Sequence, residues 1–267
     1  MSELLLGKPA RYQDQYNPAC LFAIKRATNR QELNIGQKPP FDGADIWNAY
    51  EVSWLNPKGK PCVAIATITV PCDSPFLIES KSMKLYFNSF NQSRFSSFDE
   101  VTHVLCQDLS AVSHSKVLVA LNPLDKPLPI SHWQGDSIDH LDVAIDQYQP
   151  TPELLTVSNE PISETLTSNL LKSNCLVTGQ PDWASIQISY QGPKINHAGL
   201  LKYLISFRQH NEFHEQCVER IFMALSHCCK PKKLAVYARF TRRGGIDINP
   251  WRANYSFTPQ NTRLVRQ

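Results

Sequence analysis

The stretch of sequence that decides the fold is Asn48–Val70, which reads NAYEVSWLNPKGKPCVAIATITV. Apolar and polar residues alternate along both of its halves, and a period of two is typical of strands that bury one face. The halves are separated by Asn56–Gly59, whose sequence Asn-Pro-Lys-Gly is typical of a turn. The stretch therefore predicts a β-hairpin with one buried face.

Downstream of this hairpin the period of the apolar residues changes from two to between three and four. Ser82–Phe90 and Phe98–Val112 both have this longer spacing, which is typical of amphipathic helices. A short apolar run at Val117–Leu121 then suits a strand. The order predicted for the first half is strand, strand, helix, helix, strand.

The second half of the chain repeats that order. Its predicted elements are a strand, two helices and a strand, at Ala184–Tyr190, Asn196–Gln209, Asn211–Cys228 and Leu234–Phe240. A short identity agrees with a repeat, because Tyr-x-x-Ser-Phe at 86–90 recurs at 203–207, an offset of 117 residues (203 − 86). The sequence thus favours two tandem modules.

The segment Gln147–Ile162 lies between the two repeats. It is rich in Pro, Thr, Ser, Asn and Glu and has no sustained periodicity, which is typical of a linker or a surface excursion. We place a domain boundary near Pro150, which gives modules 1–150 and 151–267. Because hairpins precede paired helices, we expect an α+β fold whose antiparallel sheets carry their helices on one face.

Length and composition indicate an ordinary globular protein. The 267 residues, 42% of them hydrophobic, can bury one large core or two smaller ones. Residues 1–10 contain only the short apolar run Leu4–Leu6, which is too short for a signal peptide, and no stretch approaches the roughly 20 apolar residues of a membrane span. We expect a cytoplasmic protein without a membrane partner.

The cysteines and the net charge narrow the possible partners. The eight cysteines lie in a medium-sized chain for which no export signal is predicted, so we expect reduced thiols. None of them forms a C-x-x-C pair, the usual source of two ligands in a structural zinc site, so we expect no metal. The net charge of +3, from 27 basic and 24 acidic residues, is small for a protein that binds nucleic acid through its phosphates. No direct nucleic-acid partner is expected.

Cys175 and Asp182 are the first candidates for chemistry. Cys175 lies in the polar stretch Lys172–Gly179, and Asp182 follows seven residues later, after Gln180-Pro181. A loop thiolate can act as a nucleophile while a nearby carboxyl group exchanges a proton with the substrate. Free cysteines are, however, mostly small buried hydrophobic residues, and the spacing alone does not decide between the two roles.

Two glutamates are predicted at helix starts. Glu79 precedes a helix for which Ser80 is the predicted N-cap, and Glu215 lies with His214 in the first turn of a helix that Asn211 is predicted to cap. A carboxylate can accept two hydrogen bonds from adjacent N–H groups, as on the edge of a guanine-like ring. An acid in the first turn can instead simply offset the helix dipole.

Arg239, Arg242 and Arg243 form a local basic cluster next to Gly244 and Gly245. Arginines bind phosphate through paired N–H groups, and glycines let backbone N–H groups approach an anion. The run Arg242-Arg243-Gly244-Gly245, which follows the predicted strand ending at Phe240, could hold the 2′-phosphate of NADPH or an RNA backbone, or be a solvated turn. Because the chain has no G-x-G-x-x-G, a nicotinamide cofactor would not be held by a Rossmann module.

These segments together closely resemble the QueF nitrile reductases of queuosine biosynthesis, the NADPH-dependent 7-cyano-7-deazaguanine (preQ0) reductases, in their long two-module form. The resemblance covers nearly the whole chain. It is carried by five segments: PFDGADIW at 40–47, LIESKSMKLYFNSFNQ at 77–92, SNCLVTGQPDWASIQISY at 173–190, FRQHNEFHEQCVERIF at 207–222 and YARFTRRGGIDINPWR at 237–252.

The resemblance implies two tandem tunnelling-fold modules, a homodimer, NADPH as cofactor, no metal and preQ0 as substrate. It implies that Cys175 is a nucleophile forming a covalent thioimide with the nitrile, and that Asp182 is the proton donor. The residues implied to bind the substrate are Ile78, Glu79, Ser80, His214 and Glu215. The residues implied to bind NADPH are Ser80, Lys81, Arg243 and Gly244, so both halves of the chain contribute.

Two other functions remain open at the level of sequence. The first is a metal-dependent GTP or pterin cyclohydrolase on the same fold, although Cys228 and Cys229 beside His227 offer no compact set of ligands. The second is a non-catalytic tRNA-binding protein that uses the arginine cluster. Stoichiometric zinc in the purified protein would favour the first, and RNA binding without NADPH oxidation would favour the second.

Overall fold

The computed structural model describes residues 12–125 and 129–267, which divide into two compact units. The first unit contains residues 12–31, 44–125 and 242–248, and the second contains residues 32–43, 129–241 and 249–267. The apolar run Leu4–Leu6, on which the absence of a signal peptide was predicted, lies outside the described residues. The predicted boundary at Pro150 stays a prediction.

The first half of the chain forms five strands and three helices. They are β1 (Ala23–Lys25), α1 (Arg26–Gln31), β2 (Asp42–Leu55), β3 (Pro61–Pro71), β4 (Phe76–Ile78), α2 (Ser80–Ser89), α3 (Phe98–Ser113) and β5 (Leu118–Asn122).

The second half forms eight strands and two helices. They are β6 (Ile130–Ser131), β7 (Asp136–Ser137), β8 (Val157–Ser168), β9 (Lys172–Asn174), β10 (Pro181–Ile195), α4 (His197–Ser206), α5 (His214–Cys229), β11 (Lys233–Phe240), β12 (Ile246–Ala253) and β13 (Arg263–Leu264).

The predicted hairpin at Asn48–Val70 is confirmed, and its strands are longer than the sequence indicated. β2 and β3 pair antiparallel from Ala44 opposite Pro71 to Leu55 opposite Pro61. The Asn56 N–H donates to the carbonyl of Lys60 at 2.9 Å and closes the turn. β5 pairs antiparallel with the other edge of β3, so the sheet of the first unit contains the order β5-β3-β2.

The core of the first unit lies between one face of this sheet and the two helices α2 and α3. Alternate residues of β3 are fully buried, as the period of two predicts. The helices add their apolar stripes to the same cluster, including Met83, Tyr86 and Leu105. Ser97 caps α3 by accepting a hydrogen bond from the Glu100 N–H at 3.1 Å.

The second unit is built around the long strand β10. β10 pairs antiparallel with β11 on one side and with β8 on the other, and its first residues also pair with β9. The strand order is β12-β11-β10-β8-β7. Asn196 caps α4 by accepting a hydrogen bond from the Gly199 N–H at 2.9 Å.

Both halves therefore contain the predicted order strand, strand, helix, helix, strand, and the expected α+β class with antiparallel sheets is confirmed. The segment Gln147–Ile162, which we expected to be a linker or a surface excursion, contains part of a strand. Its last residues begin β8, where Val157 pairs with Ile195 and Pro161 with Pro193. Residues 157–161 are exposed, so their side chains show no alternation of apolar and polar types.

The described helices include none with the length and apolar character needed to cross a membrane.

Candidate active site

Cys175 and Asp182 lie at the two ends of a short connection between paired strands of the second unit. β9 and β10 place Asn174 opposite Pro181 and Ser173 opposite Asp182. Cys175–Gln180 forms the six-residue loop between them. The predicted loop setting of Cys175 is confirmed, although the residue is 8% exposed and Asp182 is 2% exposed.

Hydrogen bonds within this loop lower the pKa of the Cys175 thiol. Burial by itself raises that pKa, but the sulfur accepts hydrogen bonds from the Thr178 hydroxyl and from the N–H groups of Thr178 and Val177. These bonds outweigh the burial and the repulsion by the Asp182 carboxylate, so the pKa lies below its ordinary value of 9.0. Lowered thiol pKa values are typical of nucleophilic cysteines.

Other cysteines of the described chain have the opposite character. Burial raises the thiol pKa of Cys20, Cys217, Cys228 and Cys229, and the pKa of Cys229 reaches about 12. These thiols stay protonated at neutral pH and behave as apolar groups. Cys175 therefore differs from them in the direction of its pKa shift.

His214 contacts Asp182 from the start of α5. The His214 Nε2 atom lies 3.6 Å from Asp182 Oδ1, and the imidazole packs edge-on against the ring of Phe240 with centroids 4.2 Å apart. The contact with Phe240 fixes the orientation of the imidazole ring beside the carboxylate. The structure thus brings three predicted site residues together: Cys175, Asp182 and His214.

Glu215 is the second residue of α5 and is 4% exposed. Its predicted place in the first turn is confirmed, but two details of the helix start are wrong. Asn211 does not cap the helix and Glu212 does not begin it, because α5 begins at His214 with Phe213 in the N-cap position and no side-chain cap. A helix start without a side-chain cap leaves backbone N–H groups available to other partners.

Asn211 and Glu212 instead hold the loop that precedes α5 against the strand that carries Cys175. Asn174 donates its N–H to the carbonyl of His210 at 2.8 Å and accepts from the Glu212 N–H at 3.1 Å. Its side-chain amide also donates to Asn211 Oδ1 at 3.0 Å. Sequence reasoning did not single out Asn174 as a positioning residue, because its contacts are with residues more than 30 positions away.

Glu79 is the N-cap of α2 in the first unit, and the prediction that Ser80 caps this helix is wrong. The Glu79 backbone is extended, and its carboxylate accepts from the N–H groups of Lys81 at 3.2 Å and Ser82 at 2.6 Å. Ser80 is therefore the first residue of the helix. Burial raises the pKa of Glu79 despite these hydrogen bonds, and the residue is 1% exposed.

Ile78 is held beside Glu79 at the end of a short strand pair. It is the last residue of β4 and lies opposite Ala23 of β1. The Glu79 N–H donates to the carbonyl of Phe22 at 2.9 Å. The backbones of Ile78 and Glu79 are thus held by hydrogen bonds. Ser80 and Lys81, in the first turn of α2, are partly exposed.

Gly244 and Gly245 form the two central residues of a tight hairpin turn. Both have positive φ angles, +57° and +74°, and the Arg243 N–H donates to the carbonyl of Ile246 at 2.9 Å. Glycine is favoured at both positions of such a turn. A Cβ atom on Gly245 would also lie 2.4 Å from the carboxyl carbon of Glu51.

The arginines of this segment have different environments within their own units. Arg239 belongs to the second unit and is buried, with its guanidinium bound to Gln267 Oε1 at 2.5 Å and to the Tyr237 hydroxyl at 2.6 Å. Arg239 therefore has a structural role within the second unit. Arg242 stacks its guanidinium over the Tyr50 ring at 4.7 Å, within the first unit.

A cavity of about 260 Å³ lies beside the glycine turn in the first unit. Among its lining residues are Glu51, Lys84, Asn88, Gly244 and Gly245. Lys84 places its amino group within 3.2 Å of where a Cβ of Gly244 would be, so the turn approaches this cation closely. The cavity has the size of a small ligand fragment and a cationic group in its wall.

No group of three or more histidine, cysteine, aspartate or glutamate side chains suited to a metal ion is found among residues 12–125 and 129–267.

Comparison with known families gives two matches, one in each half of the chain. Residues 12–121 match the family described as the N-terminal part of a nitrile reductase, 7-cyano-7-deazaguanine reductase, and residues 181–258 match the family described as QueF-like protein. Together with the repeated element order, these matches identify two tandem modules, one related to each of these families.

Several curated proteins named NADPH-dependent 7-cyano-7-deazaguanine reductase are similar to this chain. Those of Acidovorax ebreus, Chromobacterium violaceum and Burkholderia multivorans are 57%, 55% and 56% identical to it. The alignments cover 98% of this chain and 96–97% of those proteins. A crystal structure of the archaeosine synthase QueF-Like in the apo form aligns with 38% of this chain at a TM-score of 0.32 and 13% identity.

Proposed function

The chain belongs to the 7-cyano-7-deazaguanine reductase family of nitrile reductases, and we propose on this basis that it reduces preQ0 with NADPH. The product is 7-aminomethyl-7-deazaguanine (preQ1), an intermediate of queuosine biosynthesis, and two NADPH are consumed for each nitrile. The observation that carries the proposal is a buried Cys175 thiol with a lowered pKa and an acid, Asp182, on the paired strand.

Covalent attachment to Cys175 makes the nitrile reducible. A nitrile is a poor hydride acceptor, and a sulfur substituent makes its carbon more electrophilic. The Cys175 thiolate adds to the nitrile carbon, and the electron pair of the broken π bond moves to nitrogen. Asp182 gives that nitrogen a proton, so the enzyme-bound species is a neutral thioimide and Asp182 becomes a carboxylate.

Two hydrides then convert the thioimide to the amine. NADPH, when bound, supplies each hydride. After the first hydride reaches the carbon, the nitrogen lone pair forms a C=N bond and Cys175 leaves as a thiolate. The second hydride and a proton convert this imine to the aminomethyl group. His214, within 3.6 Å of Asp182, can return a proton to that carboxylate between the two reductions.

We assign substrate binding to residues at two helix starts. In the second unit these are His214 and Glu215, and in the first unit they are Ile78, Glu79 and Ser80. A carboxylate has about four lone-pair sites, so Glu79 can accept N–H groups from a guanine-like ring in addition to the two that it caps. Glu215 offers the same acceptor type from the first turn of α5.

We assign NADPH binding to Ser80, Lys81, Arg243 and Gly244. Two features support an anionic ligand: the backbone of Gly244 is exposed, and Lys84 supplies a positive charge in the wall of the adjoining cavity, which also contains the Glu51 carboxylate. Arg243→Ala should raise the KM for NADPH about tenfold while the protein still forms an adduct with preQ0 alone. Weakened RNA binding with unchanged NADPH oxidation would contradict this assignment.

We further propose that the protein is a cytoplasmic homodimer that takes preQ0 as a free small molecule, without direct contact with nucleic acid or membrane. Family likeness supports the dimer, and the small net charge supports the absence of a nucleic-acid partner. Light scattering after size-exclusion chromatography should give twice the 30.3 kDa chain mass. A monomer that retains full activity would contradict the dimer.

The decisive experiment mixes the protein with preQ0 in the absence of NADPH. We expect a new near-ultraviolet absorbance and a mass increase equal to that of preQ0, and we expect Cys175→Ala to show neither. The ratio of NADPH oxidised to preQ0 consumed should be about two. Full turnover by Cys175→Ala would exclude the thioimide route, and one stoichiometric zinc per chain would favour a cyclohydrolase.

A further inference from the structure

Lys172 binds two acceptors of the second unit from its place in β9, three positions before Cys175. Its amino group donates to Asn174 Oδ1 at 2.5 Å and to the carbonyl of Arg208 at 2.7 Å. The residue is partly exposed and lies opposite Trp183 in the pairing of β9 with β10. Two of the three N–H groups of its ammonium are therefore donated to protein acceptors rather than to water.

The lysine fixes the orientation of the Asn174 side chain. An ammonium group has only donors, so the atom of the Asn174 amide that faces it is the oxygen. The amide nitrogen of Asn174 then faces the other way and donates to Asn211 Oδ1 at 3.0 Å. An amide turned the other way would place its oxygen against the Asn211 oxygen and lose this hydrogen bond.

These side-chain contacts reinforce a backbone clamp between β9 and the loop that precedes α5. The Asn174 N–H donates to the carbonyl of His210 at 2.8 Å, and the Asn174 carbonyl accepts from the Glu212 N–H at 3.1 Å, in a parallel bridge. Cys175 follows the clamp directly on one side, and His214 begins α5 two residues after it on the other. The clamp therefore sets the separation between the thiol segment and the start of the helix.

From these contacts we propose that Lys172 is a positioning residue for nitrile reduction, which holds the Cys175 loop and the first turn of α5 at the separation that the substrate needs. The inference rests on the proposed function, in which His214 and Glu215 bind the ring while the sulfur attacks the nitrile. Reacting atoms must lie about 3–3.5 Å apart, and a misplacement of about 1 Å can slow a reaction on the order of 100-fold. A small shift of α5 would therefore slow the attack without changing the thiol.

The first test compares Lys172→Met, which removes the donors and keeps an unbranched side chain, with Lys172→Arg, which keeps both charge and donors. At saturating preQ0 without NADPH, thioimide formation should be about tenfold slower in Lys172→Met and close to the wild-type rate in Lys172→Arg. Lys194→Met is the matched control, because Lys194 belongs to the same unit and forms an exposed pair with Glu160 at 3.3 Å. A wild-type rate in Lys172→Met would overturn the proposal.

A second measurement separates position from charge. Iodoacetamide alkylation, followed across pH by mass spectrometry on the Cys175 peptide, reports on the thiol without substrate among the eight cysteines of the chain. The alkylation midpoint of Lys172→Met should stay near that of wild type, because the bond from the Cys175 N–H to the carbonyl of Gln180 at 2.8 Å is kept. A rise in the midpoint large enough to explain the slower thioimide formation would show that Lys172 acts through its charge, and it would overturn the proposal.

Hydrogen exchange tests the clamp without the reaction. The amide protons of Asn174 and Glu212 should exchange about tenfold faster in Lys172→Met, whereas the amides of β11 should keep their wild-type rates. If wild-type protein forms no adduct with preQ0, the proposed function fails, and the exchange rates alone then decide whether Lys172 holds the clamp. Equal exchange at Asn174 and Glu212 in Lys172→Met and wild type would overturn the proposal in either case.

Discussion

At the scale of single residues, the central property of the proposed mechanism is the pKa of the Cys175 thiol. Hydrogen bonds within its own loop lower the pKa of the Cys175 thiol, and the Asp182 carboxylate opposes its ionisation. In the proposed mechanism the two side chains have separable roles, since Cys175 attacks as a thiolate and Asp182 protonates the substrate nitrogen. Removing the charge of Asp182 should therefore affect the thiol pKa and the rate of reduction in different ways.

Asp182→Asn should lower the pKa of Cys175 and yet reduce turnover. The thiol loses a repulsive negative charge, so its alkylation midpoint should move to lower pH. The nitrile nitrogen loses its proton donor, so kcat should fall by about 10²- to 10⁴-fold. Parallel alkylation and NADPH oxidation assays on one preparation measure both effects. A kcat close to wild type would remove Asp182 from the mechanism.

Glu79→Gln should change how stability depends on pH. Burial raises the pKa of Glu79 above its ordinary value of 4.5, so its contribution to stability is complete below that value and is lost as the pH rises through the folded-state pKa. The glutamine amide of the variant does not titrate. The free energy of unfolding of the variant, relative to wild type, should therefore increase from pH 4 to pH 7.

Urea denaturation at both pH values measures this difference. The remaining groups titrate alike in the two proteins. Subtracting the free energy of unfolding of wild type from that of the variant at each pH therefore isolates the contribution of Glu79. Glu100→Gln is a suitable comparison, since hydrogen bonds from Ser96 lower the pKa of that exposed acid and the sign of its dependence is opposite. A relative stability of Glu79→Gln that stays constant or falls with pH would show that burial does not control this carboxyl group.

The sequence indicates the candidate reacting residues better than the residues that support them. Cys175, Asp182, His214 and Glu215 were all predicted as site residues, and the structure brings the first three together. Asn174 was missed because its contacts are with residues more than 30 positions away in the sequence. The N-cap role of Glu79 was missed because Ser80 is the commoner cap type.

At the scale of secondary-structure elements, α5 determines where two of the proposed substrate-binding residues, His214 and Glu215, lie. No side chain caps the start of α5, so contacts farther along the helix must help to hold it in place. One turn beyond Glu215, the Glu219 carboxylate accepts from Arg252 Nε at 3.0 Å and Nη2 at 2.9 Å. This pair, with Arg252 fully buried, attaches the helix to β12 within the second unit.

Glu219→Ala should destabilise the protein strongly. Removing the carboxylate leaves the buried Arg252 charge without this partner, which typically costs about 3–5 kcal/mol. Glu32→Ala is the matched control, because Glu32 lies 3.6 Å from Arg220 and is 67% exposed, and exposed pairs contribute about 0–1 kcal/mol. Equal free energies of unfolding for the two variants would show that the buried pair does not anchor α5.

The elements themselves follow from periodicity where one face is buried. The hairpin of β2 and β3 and the helices α2, α3 and α4 were predicted because apolar residues mark their inner faces. The start of β8 was missed because its residues 157–161 are exposed. The start of α5 was placed too early because Asn211 has the residue type of a cap, whereas its side chain bonds to Asn174.

At the scale of the whole molecule, the predicted modules 1–150 and 151–267 can be tested as fragments. Neither fragment contains all the residues of one compact unit, since residues 242–248 belong with the first and residues 32–43 with the second. We expect each fragment, expressed alone, to give non-cooperative thermal unfolding and no adduct with preQ0. Cooperative unfolding of either fragment would support Pro150 as a true domain boundary.

The interleaved order of the two units also constrains the way the protein is made. A ribosome at about 5–20 residues per second needs on the order of 10 s to go from residue 126 to residue 241, and only then does it reach the last piece of the first unit. Until then, the groups of Asn48 and Tyr50 in β2 that bind Gly245 and Asp247 have no final partner. We expect newly made chains to depend on chaperones, and synonymous codons that slow this interval should lower the soluble yield.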